Sequence, residues 1–181
     1  MNNKRKINGH IFELFIEHLQ IKERITEMAR LVNAQLMPGS TMVPVMSGAF
    51  YFASQFLAEI DKPYRLLSVQ VSSYQGVDQA DEILISFLKK DHWIEDAHLI
   101  ILEDIVDTGR TACELQKFFY DRGAAHVEII ALFYKPGKLQ FDCNLTHFGF
   151  EVGGEFLVGY GLDVDEEGRY LKDVWRLTME S

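Results

Sequence analysis

Apolar residues recur along this chain at two spacings, one typical of helices and one typical of strands. Residues 21–36, "IKERITEMARLVNAQL", carry apolar residues on one helical face, namely Ile21, Ile25, Met28, Ala29 and Val32. Pro38 and Gly39 follow shortly after, and we expect them to end the helix. The pattern predicts an amphipathic helix that buries one face.

Further along the chain, short apolar runs predict strands. They are "TMVPVM" at 41–46, "RLLSVQVSSY" at 65–74, "AHLIILE" at 97–103 and "HVEIIALFY" at 126–134. Between the first two lies "FYFASQFLAEI", residues 50–60, which predicts a helix rich in large apolar side chains.

A third helix is predicted between the last two strands, from about Ala112 to Arg122. Thr111 and Glu114 have the spacing of a capping box, which marks its start, and Gly123 is its expected C-cap. Strand, helix and strand within roughly 35 residues form a βαβ unit with parallel strands. We therefore predict an α/β fold, with a largely parallel central sheet flanked by helices, in one domain spanning residues 1–181.

Composition and charge narrow the possible classes of function. The chain has 181 residues, of which 48% are hydrophobic and 25% charged, and its formal net charge is −9. That charge argues against a nucleic-acid binder with a broad basic face. No apolar run approaches the ~18 residues that a membrane span requires. We expect a cytoplasmic protein that binds neither nucleic acid nor membranes.

The stretch "LIILEDIVDTGRT", residues 99–111, carries the clearest chemical signal. An apolar strand runs into two adjacent carboxylates, Glu103 and Asp104, and then into the turn before the third helix. Ligands of open α/β sheets bind at the carboxyl ends of strands, where the N-terminus of the next helix attracts anions. We expect this turn to bind a phosphate group through Asp107, Thr108, Gly109, Arg110 and Thr111.

The two adjacent carboxylates, Glu103 and Asp104, require a ligand group other than phosphate. They cannot bind phosphate, but they can accept hydrogen bonds from the vicinal hydroxyls of a sugar or lie close to a bridging metal ion. A sugar phosphate with free hydroxyls, accompanied by Mg²⁺, therefore suits the whole stretch. The Gly-Lys-Ser/Thr ending of a Walker loop is absent, which excludes that alternative.

"ILEDIVDTGRT" closely resembles the phosphoribosyl-pyrophosphate signature of the type I phosphoribosyltransferases. "LFYKPGK", "SVQVSSYQG" and "GEFLVGYGLDVDEEGRYL" resemble the hypoxanthine-guanine branch of that family, and the resemblance covers roughly residues 40–171. It implies the family fold, with a small hood formed by the termini, about residues 1–20 and 145–181. It also implies a homodimer or a homotetramer.

The resemblance implies transfer of the 5-phosphoribosyl group from 5-phosphoribosyl 1-pyrophosphate to hypoxanthine or guanine, with Mg²⁺ as cofactor. Asp107 would be the catalytic base and accept the N7 proton. Glu103 and Asp104 would hold the ribose hydroxyls, and residues 107–111 the 5′-phosphate. Glu103 and Asp104 are also, with Asp163, the expected metal-binding residues.

The resemblance further implies roles around the base and the pyrophosphate. Lys135 would face O6 of the purine, Phe156 would stack on its ring, and the backbone of Leu157 would meet its edge. Asp163, also counted among the purine-binding residues, would hold a Mg²⁺ on the pyrophosphate side. The Arg169 guanidinium would bind pyrophosphate in a bidentate fashion.

Two positions match the start of the family's mobile loop. Ser73 and Tyr74 would belong to the loop that closes over the reacting centre and excludes water.

The chain departs from the family pattern at two points. The pyrophosphate loop commonly carries a basic residue, in a Leu-Lys/Arg-Gly-small pattern, but this chain has Met46-Ser47-Gly48-Ala49. Ser47 and Gly48 can still offer backbone N–H groups to pyrophosphate. An aromatic residue often follows the metal-binding aspartate, and here it is Val164.

Two alternatives stay open at the level of sequence. A protein of this fold can be a regulator that binds the sugar pyrophosphate without turning it over, although the charge of −9 weighs against one that binds DNA. A xanthine or adenine phosphoribosyltransferase is the other alternative.

Overall fold

The computed structural model describes residues 3–74, 82–87 and 93–178. In chain order the described elements are β1 (Lys4–Ile7), β2 (His10–Ile16), α1 (His18–Gln35), β3 (Thr41–Met46), α2 (Phe50–Ala58), β4 (Arg65–Leu66), β5 (Val69–Tyr74), β6 (Glu82–Phe87), β7 (His98–Val106), α3 (Arg110–Tyr120), β8 (His126–Tyr134), a 3₁₀ turn (Pro136–Lys138), β9 (Leu145–Glu151), β10 (Leu157–Val158) and β11 (Val174–Leu177). No helix in these ranges is long and apolar enough to cross a membrane.

The main sheet has the strand order β6-β5-β3-β7-β8-β9, and β4 also pairs with β3. Strands β4, β5 and β7 pair with β3 in parallel, as do β8 with β7 and β9 with β8. Strand β6 is antiparallel to β5. The predicted α/β fold with a largely parallel central sheet is confirmed.

Helices cover both faces of this sheet. Residues of α1 and α2 form one core cluster with one set of side chains from β7 and β8, and residues of α3 form a second cluster with the other set. The apolar face predicted for α1 is confirmed, because its buried residues are Ile21, Ile25, Met28, Ala29 and Val32. The burial of both faces explains why the central strands read as continuous apolar runs.

A second sheet of four strands, in the order β1-β2-β11-β10, joins the two ends of the chain. Its own small core contains Ile7, Phe12, Val158, Leu171 and Trp175. Residues 145–151 do not belong to it, since β9 pairs with β8 in the main sheet. The second sheet therefore uses a shorter C-terminal stretch than the expected 145–181.

The end of strand β7 differs from the sequence prediction. Strand β7 does not end at Glu103, because Ile105 and Val106 continue to pair with β8. Glu103 and Asp104 therefore lie inside the strand.

The predicted capping box at the start of α3 is also wrong. The helix begins at Arg110, and its N-cap is Gly109, in the left-handed conformation with φ 84°. A glycine fits here because other residues adopt that conformation at a cost. At the other end the C-cap is Asp121 and not Gly123, although Gly123 completes the turn with φ 84°.

Candidate functional site

Parallel strands of the main sheet end at one common edge, and predicted site residues follow them there. Strand β3 ends at Met46, β7 at Val106 and β8 at Tyr134. The residues that come next are Ser47 and Gly48 after β3, residues 107–111 after β7, and Lys135 after β8. The topology thus brings together groups that are far apart in sequence.

The turn between β7 and α3 encloses a cavity of about 240 Å³ lined by residues 103–112. The turn is braced from outside, since the carbonyl oxygen of Thr108 accepts hydrogen bonds from the N–H groups of Gln140 (2.9 Å) and Phe141 (3.0 Å). The first residues of α3 line the cavity, so the positive end of the helix dipole faces it. A concave site of this kind suits a phosphate group.

Of the two carboxylates of β7, Glu103 has an oxygen atom without a hydrogen-bond partner among the described residues. Glu103 is buried, and its Oε2 atom has no hydrogen-bond partner among them. Burial raises the pKa of Glu103 well above its ordinary value, and the nearby Asp104 raises it further. A buried carboxylate without a donor is costly, so this position favours a ligand that brings hydroxyl donors or a cation.

Asp104 on β7 interacts electrostatically with two residues of the C-terminal segment, Arg169 and Asp163. Burial raises its pKa to about 6, against the lowering effects of the Ile105 N–H group, at 2.8 Å from Oδ1, and of Arg169. Asp163 raises the same pKa. Because Arg169 and Asp163 both act on Asp104, these three charged groups lie within electrostatic reach of one another.

Asp163 and Arg169 form an ion pair, with 2.7 Å between Nη2 and Oδ1. Arg169 Nη1 also donates to the carbonyl oxygen of Gly161 at 2.7 Å, and Asp163 Oδ2 accepts from the N–H of Glu166 at 2.8 Å. The pair is partly exposed, so the guanidinium and the carboxylate can both reach a ligand.

Lys135 and Asp107 form a second ion pair. Lys135 is only 5% exposed, although a lysine beside proline and glycine is usually solvated, and its Nζ donates to Asp107 Oδ2 at 2.9 Å. Lys138 Nζ lies 3.8 Å from the same oxygen. Sequence reasoning missed Lys138, but its place in "KPGK" was a usable signal, because a tight turn returns it towards the carboxylate that Lys135 binds.

The predicted base-stacking residue is exposed. Phe156 is 49% exposed, and its ring centroid lies 6.5 Å from that of Phe12. Leu157 is buried in β10. Gly154, two residues before Phe156, lies beside the Lys138 side chain, so this segment runs past the turn that carries the lysines. Phe156 is therefore not a core aromatic residue.

The Ser47–Gly48 loop approaches β7 closely. Ser47 is exposed, and the peptide bond between Met46 and Ser47 is cis. Any side chain at position 48 would overlap Asp104 Oδ2. Glycine is thus required where the loop meets the carboxylate.

Ser73 and Tyr74 lie at the end of β5, where their backbones pair with Ile83 and Glu82 of β6. The residues that would continue the predicted mobile loop, 75–81, lie outside the described residues. The mobile-loop role stays a prediction.

The carboxylates suit a magnesium ion that arrives with its ligand. Within residues 3–74, 82–87 and 93–178, no three His, Cys, Asp or Glu side chains come together as a ready-made metal site. Mg²⁺ is commonly held by one or two carboxylates, several waters and the phosphates of a substrate. Asp104 and Asp163 offer such carboxylates, and Glu103 Oε2 is a further oxygen that has no hydrogen-bond partner among the described residues.

This architecture defines an α/β protein that binds an anionic ligand at the carboxyl edge of a parallel sheet. Residues 16–165 match the phosphoribosyl transferase domain model. The chain belongs to the phosphoribosyltransferase family.

Proteins similar to this chain in sequence carry the names of hypoxanthine and hypoxanthine-guanine phosphoribosyltransferases. The chain is 30% identical over 175 residues to the hypoxanthine phosphoribosyltransferase of Salmonella typhimurium, covering 94% of this chain and 97% of that protein. It is also 30% identical over 175 residues to the hypoxanthine-guanine phosphoribosyltransferase of Aquifex aeolicus, with the same coverage.

Solved structures give the same family. A hypoxanthine phosphoribosyltransferase from Staphylococcus aureus superposes with a TM-score of 0.82 at 26% identity, covering 92% of this chain and 91% of that chain. The hypoxanthine phosphoribosyltransferase of Trypanosoma cruzi, a point mutant complexed with the product IMP, gives a TM-score of 0.81 at 25% identity, with 96% and 93% covered.

Proposed function

We propose that this protein transfers the 5-phosphoribosyl group from 5-phosphoribosyl 1-pyrophosphate to a 6-oxopurine, hypoxanthine or guanine. The products are the nucleoside 5′-monophosphate, IMP or GMP, and pyrophosphate. The named relatives support this assignment, and so does the Lys135–Asp107 pair, which is the observation that carries it.

The pair complements one edge of a 6-oxopurine. The ammonium of Lys135 is a donor and the carboxylate of Asp107 an acceptor, and they lie 2.9 Å apart. On a 6-oxopurine, O6 is an acceptor and the adjacent N7–H is a donor, so the two edges match. Adenine presents an amino donor in place of O6, and this would oppose the buried ammonium. The pair therefore favours hypoxanthine and guanine.

Asp107 is the proposed general base. As N9 of the purine attacks C1′ of the sugar, the bond from C1′ to pyrophosphate breaks and the N7 proton passes to the carboxylate. Lys135, held against Asp107, keeps that carboxylate oriented towards N7. General base catalysis of this kind typically contributes ~10²–10⁴-fold to the rate.

The remaining residues bind and orient the substrates. Residues 107–111, at the N-terminus of α3, would hold the 5′-phosphate, and Glu103 and Asp104 would accept hydrogen bonds from the ribose hydroxyls. The exposed ring of Phe156 would stack on the purine, and the backbone of Leu157 would meet its edge.

Arg169 would stabilise the charge of the departing pyrophosphate, with help from the backbone of Ser47 and Gly48. Asp163 and Asp104 would hold Mg²⁺, which neutralises charge on the pyrophosphate when it is bound. Ser73 and Tyr74 would belong to the segment that excludes water. We further propose a cytoplasmic homodimer or homotetramer.

The direct test is to incubate the protein with hypoxanthine, the sugar pyrophosphate and Mg²⁺, and to measure IMP and pyrophosphate by chromatography. Stoichiometric formation of both is expected. Tight binding of the sugar pyrophosphate without any product from hypoxanthine, guanine, xanthine or adenine would instead identify a regulator.

A further inference from the structure

Tyr160 is a buried tyrosine that has no part in the proposed chemistry. It is 4% exposed, and its hydroxyl donates a hydrogen bond to Gln55 Oε1 on α2. Its ring lies against His18 and Tyr51, with centroid separations of 6.0 and 6.1 Å. Burial raises the pKa of Tyr160 to about 12, so the hydroxyl stays a donor at neutral pH.

The backbone around Tyr160 is unusual. Gly159, Tyr160 and Gly161 have φ angles of 99°, 50° and 100°. A tyrosine rarely adopts a positive φ, and such a conformation persists where the surroundings fix it. Here the N–H of Tyr160 donates to the carbonyl of Leu171 (2.8 Å).

The bend formed by residues 159–161 is hydrogen-bonded to Arg169. The N–H of Gly161 donates to the carbonyl of Arg169 (3.1 Å), and the Arg169 side chain donates back to the carbonyl of Gly161 (2.7 Å). The bend and the ion pair with Asp163 together therefore hold the guanidinium in place.

The bend also contacts the Ser47–Gly48 loop. A side chain at position 161 would overlap the carbonyl oxygen of Gly48. That loop leads directly into α2, which begins at Phe50 and carries Gln55 about one and a half turns later. The segment from Gly159 to Arg169 is thus joined to the loop by the Gly161–Gly48 contact, and to the helix that follows the loop by the Tyr160–Gln55 hydrogen bond.

We propose that Tyr160 is a positioning residue for pyrophosphate, whose hydroxyl acts through Gln55 to fix Arg169 and Asp163 relative to the Ser47–Gly48 loop. The inference rests on the proposed function of this site. Because Ser47 brings a hydroxyl to the loop and not a cation, the position of Arg169 matters more for binding a polyanion. The effect should fall on pyrophosphate and the sugar pyrophosphate, and not on the base.

The test is calorimetric titration of pyrophosphate in Mg²⁺ buffer into the wild type, Tyr160→Phe and Tyr170→Phe. Tyr170 is a matched control, because it lies on the same segment, undergoes the same chemical change and is 72% exposed. Loss of one buried hydrogen bond should raise the Kd of Tyr160→Phe about five- to tenfold, while Tyr170→Phe stays within about twofold of the wild type. The KM for hypoxanthine should stay within about twofold in both variants.

A double-mutant cycle locates the effect. Gln55→Met removes the acceptor of the same hydrogen bond, so the two changes together should cost less than their sum. A pyrophosphate Kd for Tyr160→Phe equal to that of Tyr170→Phe, additive effects in the cycle, or an equal rise in the KM for hypoxanthine would each overturn the proposal. The titration needs no turnover, so it reads the role of Tyr160 even if the wild type fails to make IMP.

Discussion

Replacing Asp104 by asparagine should stabilise the ligand-free protein at alkaline pH while weakening its affinity for the sugar pyrophosphate. The pKa of Asp104 rises from the ordinary 3.8 to about 6 in the folded chain, mainly through burial. Folding therefore favours the protonated acid. Its contribution to stability is fully present below about pH 3.8 and is lost as the pH rises through about 6.

The magnitude follows from the same two values. At about 1.4 kcal/mol for each tenfold change in acidity, their difference corresponds to about 3 kcal/mol. Asp104 keeps some contact with solvent, so we expect Asp104→Asn to gain ~1–3 kcal/mol at pH 8 and nearly nothing at pH 4. The Oδ1 atom of asparagine can still accept the hydrogen bond from the Ile105 N–H.

Urea unfolding of the wild type and Asp104→Asn at pH 4, 6 and 8, without Mg²⁺ or nucleotide, measures this difference. Asp142→Asn, at an exposed position, is the control for the loss of one negative charge and should show no such pH dependence. An Asp104→Asn variant that is less stable than the wild type at pH 8, or a difference that is the same at all three pH values, would refute the reasoning.

Three further predictions concern the reaction itself. Asp107→Asn should lower kcat by ~10²–10⁴-fold in steady-state assays and change the Kd for the sugar pyrophosphate little. If kcat fell by less than about threefold, Asp107 would not be the general base. Ser47→Ala should be nearly silent in the same assays, because the backbone amides do the binding, and a large loss would assign a role to the hydroxyl. Chelation of Mg²⁺ should abolish turnover, because without the cation the polyanion must lie beside Glu103, Asp104 and Asp163, and restored Mg²⁺ should recover it. Full activity in the presence of a chelator would contradict the proposed role of the metal.

Local patterns predicted the central strands of the main sheet well, and the reason is burial. Strand β8 was predicted with its observed bounds, His126–Tyr134, because it is covered on both faces and reads as one apolar run. Strand β9, Leu145–Glu151, is only partly buried and mixes threonine, histidine and glycine with its apolar residues. Its pattern is too weak to predict a strand without knowledge of its partner.

The charged groups of the site were predictable as residues but not as pairs. The spacing of Glu103, Asp104 and Asp107 marked them as ligand groups, and a helix start was expected close to its observed position. The burial of Lys135 and its bond to Asp107 join residues 28 positions apart. The βαβ pattern predicted the parallel pairing that brings these residues to one edge, but the burial of Lys135 against Asp107 depends on side-chain packing that no local pattern encodes.

The most direct test of the central claim is the ratio of kcat/KM for hypoxanthine to kcat/KM for adenine, measured on the wild type with saturating sugar pyrophosphate and Mg²⁺. The buried ammonium of Lys135 should donate to O6, the carboxylate of Asp107 should accept from N7–H, and the amino group of adenine should be rejected. Sites that leave a buried polar group unpaired with the wrong substrate can discriminate by ~10⁴-fold or more, and we predict a ratio of that order. A ratio near one would contradict both the role of Lys135 and the assignment to 6-oxopurines.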